Sequence, residues 1–168
     1  MHQLRVLRTR LFDGATQIEF GVSRFSRFDD KGYVVTISGG CFCGRVRYEV
    51  DAPLLNARSC HCSRCRKAFS GAGSAYAEVE PDSFKWTQGE ECVTRYESTP
   101  GWGLCFCRTC GTTLCGIHEG AVHGVTLGSV EGDPGVQIGM HLFVGSRAPW
   151  DHIGGDAPQF AEFPATSE

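Results

Sequence analysis

The stretch that decides the fold is Gly39-Gly40-Cys41-Phe42-Cys43-Gly44, read together with the distant Cys107-Arg108-Thr109-Cys110-Gly111. Its glycines permit the backbone angles that a turn around a metal needs, and they let amide groups approach the sulfurs. A Cys-x-Cys and a Cys-x2-Cys together offer four thiolates, which complete the tetrahedron of a structural zinc site. The spacing therefore predicts a closed site that fixes the start of the domain to its middle. Its predicted ligands are Cys41, Cys43, Cys107 and Cys110.

A third cluster, residues 60–67, reads Cys60-His61-Cys62-Ser63-Arg64-Cys65-Arg66-Lys67. Its three thiolates leave one position of a zinc tetrahedron free, and an open position is where zinc performs chemistry. We therefore predict two zinc ions per chain, the second of them catalytic and bound by Cys60, Cys62 and Cys65. One alternative stays open, because a fourth ligand from Cys105, Cys115 or a histidine would close this site.

Cationic side chains surround the third cluster. Arg64, Arg66 and Lys67 lie within it or directly at its end, and Arg58 precedes it. Such cations lower the pKa of nearby thiols and bind carboxylates, so Arg64, Arg66 and Lys67 are the candidate substrate-binding residues. The alternative is a solvated basic face, since charged residues are mostly exposed.

The bulk composition is that of a globular protein and excludes several classes. The 168 residues, 41% hydrophobic and 21% charged, suit one domain with its own core. A net charge of −3 gives no overall attraction to nucleic acid or to an anionic membrane. Ten cysteines also suit a secreted disulfide protein, but the short spacings and the lack of an apolar leader favour zinc ligation in the cytoplasm. We expect a soluble protein without nucleic-acid or membrane partners; the oligomeric state is left open.

The chain is predicted to divide into three parts. Residues 1–35 carry six basic and four acidic residues and no cysteine, and are predicted to be a partly ordered N-terminal extension. Two alternatives are a transit peptide, which the acidic residues disfavour, and a true start near Val34 or Val35. Residues 36–150 form the predicted zinc-binding domain and residues 151–168 the C-terminal tail.

Short apolar runs between turn residues predict a mainly β protein. Alternation indicates a strand at 46–50, and Ser98-Thr99-Pro100-Gly101 indicates a hairpin turn between strands at 93–97 and 103–107. Further strands are predicted at 74–80, 112–117, 122–130 and 136–144. Helical turns are predicted at 65–69 and 81–86.

The cysteines outside the clusters are Cys92, Cys105 and Cys115. Free cysteine is commonly buried, so all three are expected to be small core residues. Cys105 has the strand parity of Cys107, which would place it near the structural metal. Trp86, Trp102 and Trp150 are expected in the core or in a pocket wall.

Four motifs follow one another between residues 39 and 150. They are Gly39-Gly40-Cys41-Phe42-Cys43-Gly44-Arg45-Val46-Arg47-Tyr48, Cys60-His61-Cys62-Ser63-Arg64-Cys65-Arg66-Lys67, Phe106-Cys107-Arg108-Thr109-Cys110-Gly111-Thr112, and His141-Leu142-Phe143-Val144 with Ala148-Pro149-Trp150. In this order they resemble the glutathione-dependent formaldehyde-activating enzymes, a family grouped with the centromere protein V proteins. The resemblance implies a zinc-bound β-tent (Mss-like) fold, with several short antiparallel sheets built around zinc knuckles and few short helices.

The same resemblance implies an activity. It points to a carbon–sulfur lyase that forms S-hydroxymethylglutathione from glutathione and formaldehyde, with a small thiol and a small aldehyde as partners. The alternative is a non-catalytic zinc-stabilised binding module or a thiol sensor, because a fold does not fix a function. Chromatin or microtubule binding would need a strongly basic extension, and residues 1–35 have an excess of only +2 (six minus four).

Overall fold

The computed structural model describes residues 36–164. The predicted extension, residues 1–35, and residues 165–168 lie outside the described range, and the division into three parts stays a prediction. Within residues 36–164 the protein is mainly β, as predicted, with ten strands and one α-helix. In that range no helix has the length and apolar character needed to cross a membrane.

The strands are short, as expected from the frequent turn residues. In chain order they are β1 (Ile37–Gly40), β2 (Arg47–Val50), β3 (Leu55–Cys60), β4 (Ser74–Glu78), β5 (Phe84–Gln88), β6 (Val93–Thr99), β7 (Trp102–Cys107), β8 (Thr113–His118), β9 (Ala121–Thr126) and β10 (Met140–Leu142). The helix α1 spans Ser63–Phe69. Single 3-10 turns occupy Glu90–Cys92, Leu127–Ser129 and Val144–Ser146.

The strands assemble into two sheets. The smaller sheet has the order β1-β2-β5, and the larger has the order β10-β3-β4-β9-β8-β7-β6. The pairs are antiparallel, as the resemblance implies, except that β10 runs parallel to β3 at one edge. A strand can join a sheet in parallel orientation only through a long crossover connection. Residues 127–139 form this connection, which leads from the end of β9 to β10 beside β3. The predicted hairpin between β6 and β7 is confirmed.

The larger sheet has a core on one side and a cavity on the other, because side chains alternate along its strands. Its buried residues on the core side include Ala77, Cys105, Cys115 and Val125. Their neighbours Tyr76, Leu104 and Gly116 line the cavity on the opposite face. The sheet therefore both closes the core and forms the floor of a cavity.

The smaller sheet packs on the core through Tyr48, which is only 1% exposed. Its hydroxyl lies 2.8 Å from the Ser129 hydroxyl, and its ring stacks on Phe84 with a centroid distance of 5.2 Å. Trp86 meets the same ring edge-on. A Cβ at Gly39 would lie 2.2 Å from Tyr48 Cζ, so core packing requires the glycine that opens the first cysteine motif.

The predicted helical turn at 81–86 is wrong, because Phe84–Gln88 forms strand β5. Phe84 and Trp86 alternate towards Tyr48, and strand pairing with β2 buries both rings in part. The tertiary contact outweighs the weak local preference that the prediction used.

Other predicted strands have the wrong length, and some strands of the structure were not predicted. The strand predicted at 122–130 ends at Thr126, and only Met140–Leu142 of 136–144 is a strand, since glycine and proline interrupt residues 131–139. Strands β1 and β3 were not predicted. In β3 the register shifts between Leu55 and Arg58, and Asn56 has a φ of +48°, so this bulge hides the alternation.

Candidate metal centres

The first cluster brings together the four cysteines that the sequence predicts as structural ligands. Cys41 follows β1, Cys43 lies in the turn after it, Cys107 ends β7 and Cys110 precedes β8. Their sulfurs all lie within 4.8 Å of one another, with Cys41–Cys43 and Cys43–Cys107 separations of 3.5 and 3.8 Å. Zn–S bonds of about 2.3 Å place the sulfurs of a tetrahedron about 3.8 Å apart, so this arrangement fits one metal ion.

Each half of the first cluster is a tight turn that ends in glycine. Gly44 donates its backbone N–H to the Cys41 carbonyl at 3.0 Å, and Gly111 donates to the Cys107 carbonyl at 2.8 Å. The φ angles of Gly44 and Gly111 are +75° and +77°, a region that L-residues with a Cβ avoid. The Cys-x-Cys-Gly and Cys-x2-Cys-Gly motifs are therefore two versions of one turn.

Polar groups of the chain stabilise thiolates in this cluster. The Val46 N–H points to Cys41 Sγ at 3.3 Å, and Thr112 Oγ1 lies 3.3 Å from Cys110 Sγ. Desolvation opposes ionisation of Cys110, but hydrogen bonds from Thr112 and Cys43 outweigh it and lower the pKa of Cys110 to about 6. The thiolate is the form that binds a metal, so the site is prepared for a cation.

The second cluster forms where β3 ends and α1 begins. Cys60 is the last residue of β3, Cys62 is the N-cap of α1 and Cys65 lies in its first turn. Their sulfurs also lie within 4.8 Å of one another, and no further ligand atom from residues 36–164 joins them within that distance. Cys105 and Cys115, the alternative fourth ligands, are buried on the core side of the larger sheet.

The second cluster contains one thiol that ionises readily. A hydrogen bond from the Cys60 thiol lowers the pKa of Cys65 to about 6; desolvation opposes this shift, and the Ser74 hydroxyl adds to it. The same contact raises the pKa of Cys60. The Cys65 backbone N–H donates to Cys62 Sγ at 3.4 Å, as at a helix N-cap. A bound cation would displace the remaining protons.

A buried polar chain lies behind the second cluster. His61, between two of the cysteines, is 5% exposed, and its Nε2 lies 3.0 Å from His141 Nδ1. Its Nδ1 is 3.3 Å from Asp151 Oδ2, and its backbone N–H donates to the Leu142 carbonyl at 2.9 Å. These contacts fix the cysteine loop to β10 and to the segment that follows. Asp151 was not predicted from the sequence, since no spacing connects it to the motif.

The predicted substrate-binding cations lie on two sides of α1. Arg64 and Lys67 are exposed and line the large cavity beside the second cluster. Arg66 donates to the Ser146 carbonyl at 3.3 Å and lines, with Lys67 and Trp150, a smaller cavity of about 310 Å³. Arg58 pairs with Glu78 at 2.6 Å.

The second cluster opens into a cavity of about 990 Å³ on the face of the larger sheet away from the core. Tyr76 and His123 lie on its floor, with Tyr76 Oη 3.0 Å from His123 Nδ1. Burial raises the pKa of Tyr76 and lowers the pKa of His123, so both stay neutral near pH 7. This pair was not predicted from the sequence. One sequence signal for Tyr76 was present: alternation in the predicted strand at 74–80 places Tyr76 on the same face of the sheet as Ser74.

The cysteines outside the clusters lie in or against the core, as predicted. Cys105 and Cys115 are opposite each other on β7 and β8 and fully buried, and Cys92 packs against the core. Cys105 is not among the ligands gathered at the first cluster in the described part of the chain. Trp102 lines the large cavity, whereas Trp86 packs against the core.

Two sheets and two cysteine clusters define a mainly β protein with two sites that could hold metal ions. Residues 36–146 match the family described as "Glutathione-dependent formaldehyde-activating enzyme". The chain belongs to this family. A crystal structure of a Rhodobacter sphaeroides protein is also similar, with 29% identity and a TM-score of 0.47, covering 73% of this chain and 98% of that one.

Proposed function

We propose that the protein is a zinc-dependent carbon–sulfur lyase-type enzyme, which joins or cleaves the adduct of a glutathione-like thiol and a small aldehyde such as formaldehyde. The family to which the chain belongs is described by these two compounds. The observation that carries the proposal is the difference between the clusters. One gathers four sulfurs, whereas the other gathers three beside a large cavity.

The donor sets suit zinc. Both clusters consist of thiol sulfurs, the soft ligands that favour zinc over magnesium or calcium. Four sulfurs would hold a structural ion in the first cluster, and Cys60, Cys62 and Cys65 would hold a second. At the second site zinc would supply Lewis acidity, which lowers the pKa of a substrate thiol.

The surrounding residues would bind and orient the thiol. Arg64 and Lys67 line the cavity next to the cluster, and Arg66 lies on the other side of the same short helix. Their charges suit the carboxylates of a glutathione-like molecule. In the joining direction the thiol releases its proton to water, a sulfur–carbon bond forms as the carbonyl π bond opens, and the resulting alkoxide takes a proton back from water. Because the thiols must stay reduced, we place this activity in the cytoplasm.

The rate of adduct formation tests this proposal. The purified full chain, loaded with two equivalents of zinc, should accelerate formation of the glutathione–formaldehyde adduct above the spontaneous rate. Cys62→Ser should abolish the excess rate, whereas Cys92→Ser, outside both clusters, should retain it. No excess rate at any glutathione concentration would contradict the proposal.

Zinc-edge X-ray absorption separates the enzyme from a closed binding module. We expect the average sulfur coordination of the two ions to rise when glutathione is added. Four sulfurs at each ion, unchanged by glutathione, would instead favour a zinc-stabilised module or thiol sensor.

A further inference from the structure

The loop and helix that carry the second cluster bury almost no side chain of their own. None of the seven residues of α1 is buried, and His61 is the one buried residue in 61–73. A helix this short is not stable alone. Packing of apolar side chains therefore contributes little to holding Cys62 and Cys65 in place. The buried attachment of this stretch is the side chain of His61.

His61 points away from the sulfurs on either side of it. Cys60 ends β3, and Cys62 has extended backbone angles (φ −65°, ψ 157°), so side chains alternate along these three residues. Cys60 and Cys62 line the large cavity, whereas His61 is buried. One imidazole thus anchors, from behind, the loop that presents two of the three sulfurs.

Both nitrogens of His61 lie close to a polar partner. Nδ1 is 3.3 Å from Asp151 Oδ2, and Nε2 is 3.0 Å from His141 Nδ1. The side chains of His61 and Asp151 are only 7% and 13% exposed. A carboxylate accepts, so the Nδ1 proton faces Asp151 and Nε2 accepts from His141. Neither Nδ1 nor Oδ2 has a hydrogen-bond partner elsewhere in residues 36–164, so removal of one leaves the other unpaired in a buried place.

Asp151 belongs to a segment that is itself fixed. Its backbone N–H donates to the carbonyl of the fully buried Ala148 at 3.0 Å, and Arg147 donates to its carbonyl at 2.5 Å. Further along, the Phe160 N–H donates to the His141 carbonyl at 2.8 Å, so the segment returns to β10. The family match ends at residue 146, and Asp151 therefore lies beyond it.

We propose that Asp151 is a positioning residue of the second metal site, acting through His61 on the two neighbouring cysteines. This inference rests on the proposed function, because it needs a metal ion at the second cluster. Without Asp151, His61 loses its acceptor, and the loop has to be ordered when the metal binds. Residues behind the ligands of a metal typically change its affinity by about 10–100-fold. Asp151 thus sets the affinity of the second site and leaves the first unchanged.

Zinc titration of the full chain against a chromophoric chelator measures both sites. The wild-type chain should bind two equivalents and Cys62→Ser one, which identifies the second site. Asp151→Leu should weaken the second site by at least about tenfold and the first by less than about twofold. An unchanged second site would overturn the inference. Equal weakening of both sites would also overturn it, because it would assign Asp151 to the stability of the whole fold.

Further variants separate the contact from the fold. Asp151→Asn keeps an oxygen that accepts the Nδ1 proton, so its second site should stay within about threefold of wild type. Asp156→Leu is the matched control, exposed in the same segment, and should leave both sites unchanged. If Asp151→Leu lacks a cooperative thermal transition, the smaller Asp151→Ala replaces it. Loss of the transition in both, or an asparagine variant as weak as leucine, would overturn the inference.

Cobalt(II) reports the arrangement of the sulfurs without any reaction. Tetrahedral cobalt absorbs more strongly than cobalt with added water ligands. The d–d bands of the second site, obtained by subtracting those of Cys62→Ser, should weaken in Asp151→Leu and return in Asp151→Asn. Identical bands in wild type and Asp151→Leu would contradict the positioning role.

These measurements separate the role of Asp151 from the proposed function. A wild-type chain that binds one equivalent of zinc would contradict both. Two equivalents with equal affinities in wild type and Asp151→Leu would overturn the role of Asp151 and leave the lyase. A selective loss at the second site, without any excess rate of adduct formation in wild type, would support the role of Asp151 and contradict the lyase.

Discussion

Cysteines with the same predicted role as ligands have very different surroundings. Cys107 is fully buried at the end of β7, and its backbone N–H donates to the Thr112 carbonyl at 3.0 Å. Cys62 is half-buried and lines the large cavity. Loss of the Cys107 sulfur would leave the predicted metal site incomplete within the core, whereas loss of the Cys62 sulfur would change the edge of a cavity.

Replacement of each by serine should therefore separate stability from activity. Cys107→Ser should lower Tm by more than about 10 °C. Loss of one ligand of a structural zinc should lower the free energy of unfolding by several kcal/mol, and each kcal/mol lowers Tm by roughly 2–4 °C in a chain of this size. Cys62→Ser should lower Tm by less than about 5 °C while it removes the excess rate. Calorimetry of both zinc-loaded variants is the measurement. A larger loss of Tm in Cys62→Ser would assign the structural role to the second cluster.

At the scale of elements, α1 is too short to be stable alone. It has seven residues, none of them buried, and isolated helices below about 12–15 residues are marginal in water. It is fixed by the Cys62 N-cap and by Ser70, whose φ of +51° ends it. The turns of the first cluster have the same character, since each depends on one glycine in the left-handed region.

Gly111→Ala should thus cost about 1–2 kcal/mol, the penalty for an L-residue in that region, and lower Tm by roughly 2–8 °C. There is space for the methyl group, so the whole effect comes from backbone strain. Gly128→Ala is the matched control, exposed and with equal space but without a positive φ, and should change Tm by less than about 2 °C. An equal loss in both variants would contradict the assignment of strain to the turn.

On the scale of the whole molecule, the first cluster joins the two sheets. Cys41 follows β1 of the smaller sheet, and Cys107 ends β7 of the larger one. Tyr48 of the smaller sheet is buried in the shared core, and its hydroxyl lies 2.8 Å from the Ser129 hydroxyl. A metal ion there would act as a cross-link between the sheets, in addition to the hydrophobic core between them.

Removal of metal should unfold the protein. The apparent binding free energy of a structural zinc site, about 10–16 kcal/mol, equals or exceeds the whole stability of a typical domain, about 5–15 kcal/mol. Dialysis against a strong chelator should abolish the cooperative thermal transition and the near-UV circular dichroism, and two equivalents of zinc should restore both. A metal-free chain that keeps its transition within about 3 °C would show that the core alone suffices.

Particular residues explain which predictions succeeded. The mainly β class, the β6–β7 hairpin and the short helix after Cys62 follow from alternation, turn residues and ligand spacing, which are local properties. Strand β5 was missed because its rings are placed by Tyr48, and β3 because a bulge at Asn56 interrupts its alternation. In both cases the deciding contact comes from another strand.

The sequence by itself determined the two cysteine clusters and the family, because cysteine spacing within a turn fixes which sulfurs the turn can bring together. The tertiary structure alone decided that Tyr76 and His123 meet, that Asp151 lies behind the cysteine loop, and that aromatic rings gather in one cavity. These features depend on strand order and register across the larger sheet. Register joins residues that are far apart in the chain, and no local pattern records it.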